Sequence, residues 1–202
     1  MRYIVVEHME KEATRWLIEE YLEVIKIARD IGATPVFTNV SDASLGSILM
    51  RNGAQVVGEP GWRLFNTLYT IVLDLEAPKP LEPWELDVVD TVVIGGIMGD
   101  HPPRGRTRLI SFMYTEAAKR NLGPQQFSVD GAARVVAELL KGKRLSDLKV
   151  QVGVSLTVNT VYGKAEVFLP FAYLVGDDGK PMVPEGVKRL LERGIMWDEQ
   201  EG

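Results

Sequence analysis

The chain has 202 residues, 46% hydrophobic and 25% charged, which is long enough for one sizeable core and excludes a disordered composition. Cysteine is absent, which excludes disulfides and thiolate chemistry and fits the cytoplasm; no apolar run approaches the ~20 residues of a membrane span, so no membrane partner is expected. The formal net charge of -5 weighs against a dedicated nucleic-acid binder, which is usually basic.

Tyr3-Ile4-Val5-Val6 reads as a short apolar strand, closed by Glu7-His8-Met9-Glu10, and this opening has no signal-peptide pattern. Residues 11–31 read as a helix. Leu17, Tyr21, Val24, Ile25 and Ala28 follow the spacing of one buried face, charged residues cover the other, and Gly32 is placed to end it. Trp16 lies off the apolar face, so it is expected either partly exposed near the strand end or packed on a neighbouring loop. Thr34–Thr38 reads as a strand, 43–51 as a short helix, Gln55-Val56-Val57 as a small strand, and Thr70–Leu73 as a strand running into Asp74. The proline-rich stretch 77–83 is a loop, with too little chain before the next strand to change domain. After the strand Thr91–Ile94, roughly Thr107 to Arg120 should be helical. Leu122 to Phe127 reads as a short strand or loop. Ser128 is a plausible N-cap for a helix that buries Val129, Ala132, Ala133, Val136 and Leu140 and ends at Gly142. Two β-rich segments follow, Leu148–Val158 and Ala165–Val175, and Pro184 opens a last helix that runs to about Arg193. Alternating strands and helices predict an α/β fold, a mostly parallel sheet with flanking helices.

The densest stretch is Ile94-Gly95-Gly96-Ile97-Met98-Gly99-Asp100-His101-Pro102-Pro103-Arg104-Gly105-Arg106. A buried strand feeding a glycine-lined, charged loop is where open α/β sheets bind ligands. The glycines would admit positive φ and let a ligand approach the backbone. The loop is no phosphate motif, because Ile97 stands where G-x-G-x-x-G needs its second glycine and no Lys-Ser/Thr ending follows. The chain has two histidines, and each follows an apolar strand beside a carboxylate: Glu7-His8 and Asp100-His101. In a parallel sheet both would lie on the carboxyl edge. No metal-ligand spacing is present, so no metal is expected.

Gly95-Gly96-Ile97-Met98-Gly99-Asp100-His101-Pro102-Pro103-Arg104 resembles the signature of a SPOUT-class S-adenosylmethionine-dependent methyltransferase family. That family was first described as RNA methyltransferases and includes a protein-arginine methyltransferase of a small-subunit ribosomal protein. Tyr3-Ile4, Glu7-His8-Met9-Glu10, Trp16 and Glu20-Tyr21 extend the resemblance, as do Leu122-Gly123, Gln126, Asp130 and Ala132. Pro170-Phe171, Tyr173, Gly179-Lys180-Pro181 and Pro184-Glu185-Gly186 carry it to the end. Residues 40–68 and 143–168 match it poorly. The resemblance implies a SPOUT-type α/β knot, a trefoil threaded in the C-terminal half. It implies a cofactor-binding core over 1–142 and a small β-rich C-terminal extension over 143–202, packed on the same domain.

The implied cofactor is S-adenosyl-L-methionine. The implied cofactor residues are Leu73 and Asp74, then Gly95, Gly96, Ile97, Met98, Gly99 and Asp100, then Leu122, Gly123, Gln126, Phe127 and Ser128. Ile97, Met98, Leu122 and Phe127 would suit adenine, which needs an apolar slot. The expected acceptor is an arginine of a protein, in the resemblance a ribosomal one. Its pKa above ~12 leaves it without a free lone pair, so a carboxylate must orient it and take a proton. Glu7, Asp100 and Glu10 are the candidates, ranked in that order, with His8 and Arg104 beside them. The alternative is an RNA methyltransferase with the same cofactor site, with Arg104, Arg106 and Arg108 supplying a basic patch. A binding module without catalysis stands third. SPOUT domains pair through the knotted region, which implies a homodimer, unless the β-rich tail covers that surface and leaves a monomer.

Overall fold

The computed structural model describes residues 1–99, 105–160 and 163–194. In chain order they form β1 (Tyr3–His8), α1 (Arg15–Asp30), β2 (Thr34–Thr38), α2 (Ala43–Arg51), β3 (Gln55–Val56), β4 (Thr70–Leu73) and α3 (Glu85–Val88). They continue with β5 (Thr91–Gly96), α4 (Thr107–Met113), β6 (Ala118–Arg120), α5 (Val129–Leu140), β7 (Val150–Thr160), β8 (Gly163–Leu174) and α6 (Glu185–Glu192).

Six strands make one sheet in the order β3-β2-β1-β5-β4-β6, and every pairing within it is parallel. The expected α/β class is borne out. The apolar runs follow from burial on both faces, as parallel sheets require. Ile4, Val6, Ile71, Val92 and Ile94 pack under α1 and α5, while Val5, Val36, Val72 and Val93 pack under Ile110 and Tyr114, on and just after α4. The chain steps outward from β1 to β3, then returns across the sheet to β4, so the order reverses between β1 and β5. At such a reversal the loops leaving the carboxyl ends diverge and leave a crevice.

Helix α1 starts at Arg15 rather than residue 11, because the Thr14 hydroxyl accepts from Leu17 N and caps it. Its predicted face is buried throughout, and Gly32 (φ 72) ends it as expected. One expectation is corrected. The helix expected over Thr107 to Arg120 stops at Met113, and Ala118–Arg120 forms β6 beside β4. Three residues without β-branching carry no local strand signal, so pairing with Ile71–Leu73 decides their conformation. Of the two alternatives for Trp16 the packed one holds, at 3% exposure. It packs among Val154, Leu169, Phe171, Val183 and Val187, where the β7–β8 hairpin and α6 fold back over the start of α1.

Candidate functional site

A cleft of about 770 Å³, counting its open mouth, lies where β4 and β5 end and α4 and α5 begin. Its walls come from three separated stretches. The first is Leu73-Asp74-Leu75 at the end of β4; the second is Ile94 and Gly95 near the end of β5 with Ile97 and Gly99 beyond it, and Gly105 to Thr107 entering α4; the third is Leu122 and Gln125 to Val129, with Ala132 on α5. Of the residues expected at a cofactor, Leu73, Asp74, Gly95, Ile97, Gly99, Leu122, Gln126, Phe127 and Ser128 meet there. Leu73, Ile94, Leu122, Phe127 and Ala132 give a mostly apolar lining, with Asp74, Arg106, Thr107 and two glutamines as polar points, the pattern of a small-molecule site.

The polar groups are held firmly. Asp74 is 6% exposed; one carboxylate oxygen accepts from the Ser111 hydroxyl and the other from Glu76 N. The Ser128 hydroxyl accepts from Gly131 N at the start of α5 and donates to Asp130 Oδ1 at 2.8 Å. The tail backs the same loop, since Ala172 N donates to the Gln126 carbonyl at 2.8 Å.

The remaining expected residues lie around the cleft rather than on its wall. Gly96 is jammed between strands, where an added Cβ would meet the Glu7 carbonyl oxygen and Val6 Cγ1, both at 2.9 Å, and the Tyr21 hydroxyl. Positive φ, expected in this loop, occurs at Gly105 (62°) but not at Gly95, Gly96 or Gly99; close packing explains those three glycines instead. Gly123 (φ 99) makes a turn at the cleft's edge. Met98 binds outward: its N–H donates to Glu10 Oε1 at 2.8 Å, and its sulfur accepts from the Thr14 hydroxyl. Asp100, His101 and Arg104 lie outside the described residues.

Glu7 and His8 point to opposite faces of β1. Glu7 is fully buried under the 58–66 loop. Its Oε2 accepts from the Thr38 hydroxyl at 2.7 Å, Gly61 N at 2.9 Å and the Tyr114 hydroxyl at 2.9 Å, and its Oε1 has no partner among the described residues. His8 Nδ1 and the Tyr21 hydroxyl share a hydrogen bond of 2.8 Å. Burial holds His8 below its ordinary pKa, against the pull of Glu10 and Asp42, so it is neutral at neutral pH. Glu10 does reach the cleft's edge, where Arg106 Nη1 donates to its Oε1 at 2.9 Å. Among the described residues it is the one of the three expected carboxylates that the fold brings there. Arg106, weighed at first for an RNA patch, is a wall of the cleft itself. The contribution of Phe171 and Ala172 could not be read from strand patterning, which says nothing of what a hairpin packs against.

A family model described as protein arginine N-methyltransferase SFM1-like matches residues 3–197. Protein arginine N-methyltransferase SFM1 of Saccharomyces cerevisiae is 29% identical over 209 residues, spanning 96% of this chain and 95% of its own. The crystal structure of the yeast arginine methyltransferase SFM1 complexed with SAH superposes with a TM-score of 0.81 at 28% identity, covering 94% of each chain. The complex with SAM gives 0.82 at 26% identity, covering 96% of this chain and 91% of that one. The dual-specific Trm10 from Thermococcus kodakaraensis, at 14% identity and TM-score 0.62 over 73% of this chain and 96% of its own, shares the fold. The resemblance read from the glycine loop is borne out: this chain belongs to the family of SFM1-like protein arginine N-methyltransferases.

Proposed function

We propose that this chain is an S-adenosylmethionine-dependent methyltransferase whose acceptor is an arginine of a protein, and that the cleft at the ends of β4 and β5 receives the cofactor. The observation that carries the reading is the convergence of three separated loops on one mostly apolar cleft, in a chain of this family. Leu73, Ile94, Leu122 and Phe127 suit the adenine, and Asp74 places a fixed carboxylate on the wall of a cleft that would take a cationic ligand. When bound, the cofactor supplies an electrophilic methyl group. The chain's part is to exclude water, hold the acceptor nitrogen in line at about 3–3.5 Å, and provide a carboxylate that orients the guanidinium and draws off its proton. Glu10 and Asp100 carry that role in this reading. Glu7, sealed beneath the opposite face of the sheet, supports the fold around them.

The finer reading names a ribosomal protein in the cytoplasm as substrate and a trefoil-knotted threading of the C-terminal half. The deciding experiment supplies radiolabelled S-adenosylmethionine and the purified protein to ribosomes from a strain lacking it. Label that resists RNase and is lost to protease is the expected result. Label lost to RNase overturns the protein acceptor and leaves the RNA methyltransferase.

A further inference from the structure

Arg106 belongs to the wall of the cleft, yet its guanidinium is turned to the cleft's edge. Nη1 donates to Glu10 Oε1 at 2.9 Å, and Nη2 donates to the Met98 carbonyl oxygen. A carboxylate and a carbonyl side by side make the acceptor set that a guanidinium needs, because it carries donors only. The cradle does not depend on Arg106 for its shape: Met98 N donates to the same Glu10 oxygen at 2.8 Å and fixes the carboxylate from the loop side. A second opening, lined by Glu10, Lys11, Glu12, Thr14, Leu17 and Met98, approaches the same carboxylate from solvent. Glu10 and Met98 therefore stand between the cofactor cleft and an open approach that carries Glu10, Lys11 and Glu12. The pair is not sealed, since the side chains of Arg106 and Glu10 are 34% and 21% exposed. An exchange of one guanidinium for another would bury no unpaired charge.

From this geometry we propose that Arg106 is a stand-in for the acceptor: its guanidinium occupies the Glu10–Met98 seat, and a substrate arginine enters from the solvent side of Glu10 by displacing it. The inference rests on the arginine-acceptor reading above. Gly105, at φ 62, gives the backbone just before Arg106 a conformation that few other residues adopt. It sets Arg106 at the entry to α4, where the side chain can leave the seat without unwinding a helix interior. Glu10 then serves twice, holding Met98 N and Arg106 at rest and orienting the incoming guanidinium.

The test is binding rather than turnover, so it separates from the fate of the functional reading. Calorimetry on the full chain saturated with S-adenosylhomocysteine measures the affinity for Nα-acetylarginine methylamide, with the citrulline analogue as an uncharged control of similar shape. Arg106→Ala is expected to bind the arginine analogue at least tenfold more tightly than the unsubstituted protein and to gain nothing for citrulline. Adding Glu10→Gln should abolish the gain. Arg106→Lys, which keeps the charge but not the fork, should show an intermediate gain and guards against a folding artefact. No gain in either folded variant, an equal gain for citrulline, or a gain that survives Glu10→Gln overturns the proposal. Label found in RNA in the ribosome experiment would instead strike the functional reading and leave this affinity measurement standing.

Discussion

Gly99 and Phe171 are in contact across the length of the chain: a Cβ added to Gly99 would stand 2.8 Å from Cζ of the Phe171 ring and 2.9 Å from Nε2 of Gln126. The glycine loop after β5 is thus pressed against the β7–β8 hairpin, and the hairpin in turn holds the Gln126 carbonyl through Ala172 N. The tail forms the backing of the cleft rather than a separate appendage. Phe171, 4% exposed, also joins the Trp16 cluster over α1, so one side chain couples the hairpin, the first helix and the cleft loops.

Two glycines of one loop should therefore respond differently to the same change. At Gly96 the obstacles include a backbone oxygen of β1, which cannot move alone, so Gly96→Ala is expected to cost about 1–3 kcal/mol of stability. At Gly99 the obstacles are the buried Phe171 ring and the Gln126 side chain. Gly99→Ala should also lose stability, because a packed ring must shift, but unlike Gly96→Ala it should in addition weaken S-adenosylmethionine about tenfold, roughly 1.4 kcal/mol. Equal cofactor affinity in the two folded variants would remove the distinction and assign both glycines to the fold alone.

Glu7→Gln is a stability variant on this structure. Three donors converge on one carboxylate oxygen, and the other oxygen is buried without a partner among the described residues. An amide would weaken the charge-assisted bonds and set an NH₂ group where no acceptor waits, a cost of about 1–3 kcal/mol. Tyr114→Phe, which deletes one donor, should fall between the two. A Glu7→Gln protein as stable as the unsubstituted one but low in turnover would return Glu7 to the acceptor site, where its position at the strand end first placed it.

Ser128→Ala tests the start of α5. The hydroxyl accepts from Gly131 N and donates to Asp130 Oδ1, and its loss should cost about 1 kcal/mol as a lost cap while withdrawing a partner from a buried carboxylate. Because Ser128 also lines the cleft, cofactor affinity should fall in the same variant. Unchanged affinity would remove this end of α5 from the site.

The strands, the long helices and the central loop were legible because each is written locally: apolar β-branched runs, one apolar face on α1, a hydroxyl cap at Ser128, glycines at both helix ends. What was not legible is set by distant partners. β6 exists because β4 lies beside it. Trp16 is buried by residues more than 130 positions away, and the period of its own helix reports one face only. The carboxylate ranking took no account of facing: Glu7 and His8 are neighbours in sequence, but alternate side chains of a strand leave opposite sides of the sheet. Glu10, beyond the last strand residue, escapes that alternation and turns to the loop.

Stability should also depend on pH, because Glu20 and Asp130 are buried together between α1 and α5, beside Tyr173. Glu20 accepts from Trp16 Nε1 at 2.8 Å and from Val129 N at 3.2 Å, while Asp130 Oδ2 has no partner among the described residues. Burial, reinforced by the nearby Asp130 charge, pushes Glu20 from the ordinary 4.5 up to about 8. Burial also raises Asp130 to about 6, opposed by Ser128 and Arg134. A raised folded-state pKa means that the folded chain keeps a proton the unfolded chain has released. The stability this contributes is whole below the unfolded value and is lost as pH climbs through the folded one. Denaturation midpoints should therefore fall as pH rises from about 5 to about 8, with a slope of up to roughly 1.4 kcal/mol per pH unit from Glu20, joined by Asp130 only up to about pH 6. Glu20→Gln keeps the acceptor for Trp16 and removes the titration, so its profile should be flatter across that window and its stability at pH 8 higher than that of the unsubstituted protein. Val129 N, which Glu20 holds, begins the helix that closes the cleft, so S-adenosylmethionine affinity should decline over the same pH range and decline less in Glu20→Gln. A stability profile equally steep in both proteins would assign the pH dependence to other groups and leave Glu20 ionised in the core.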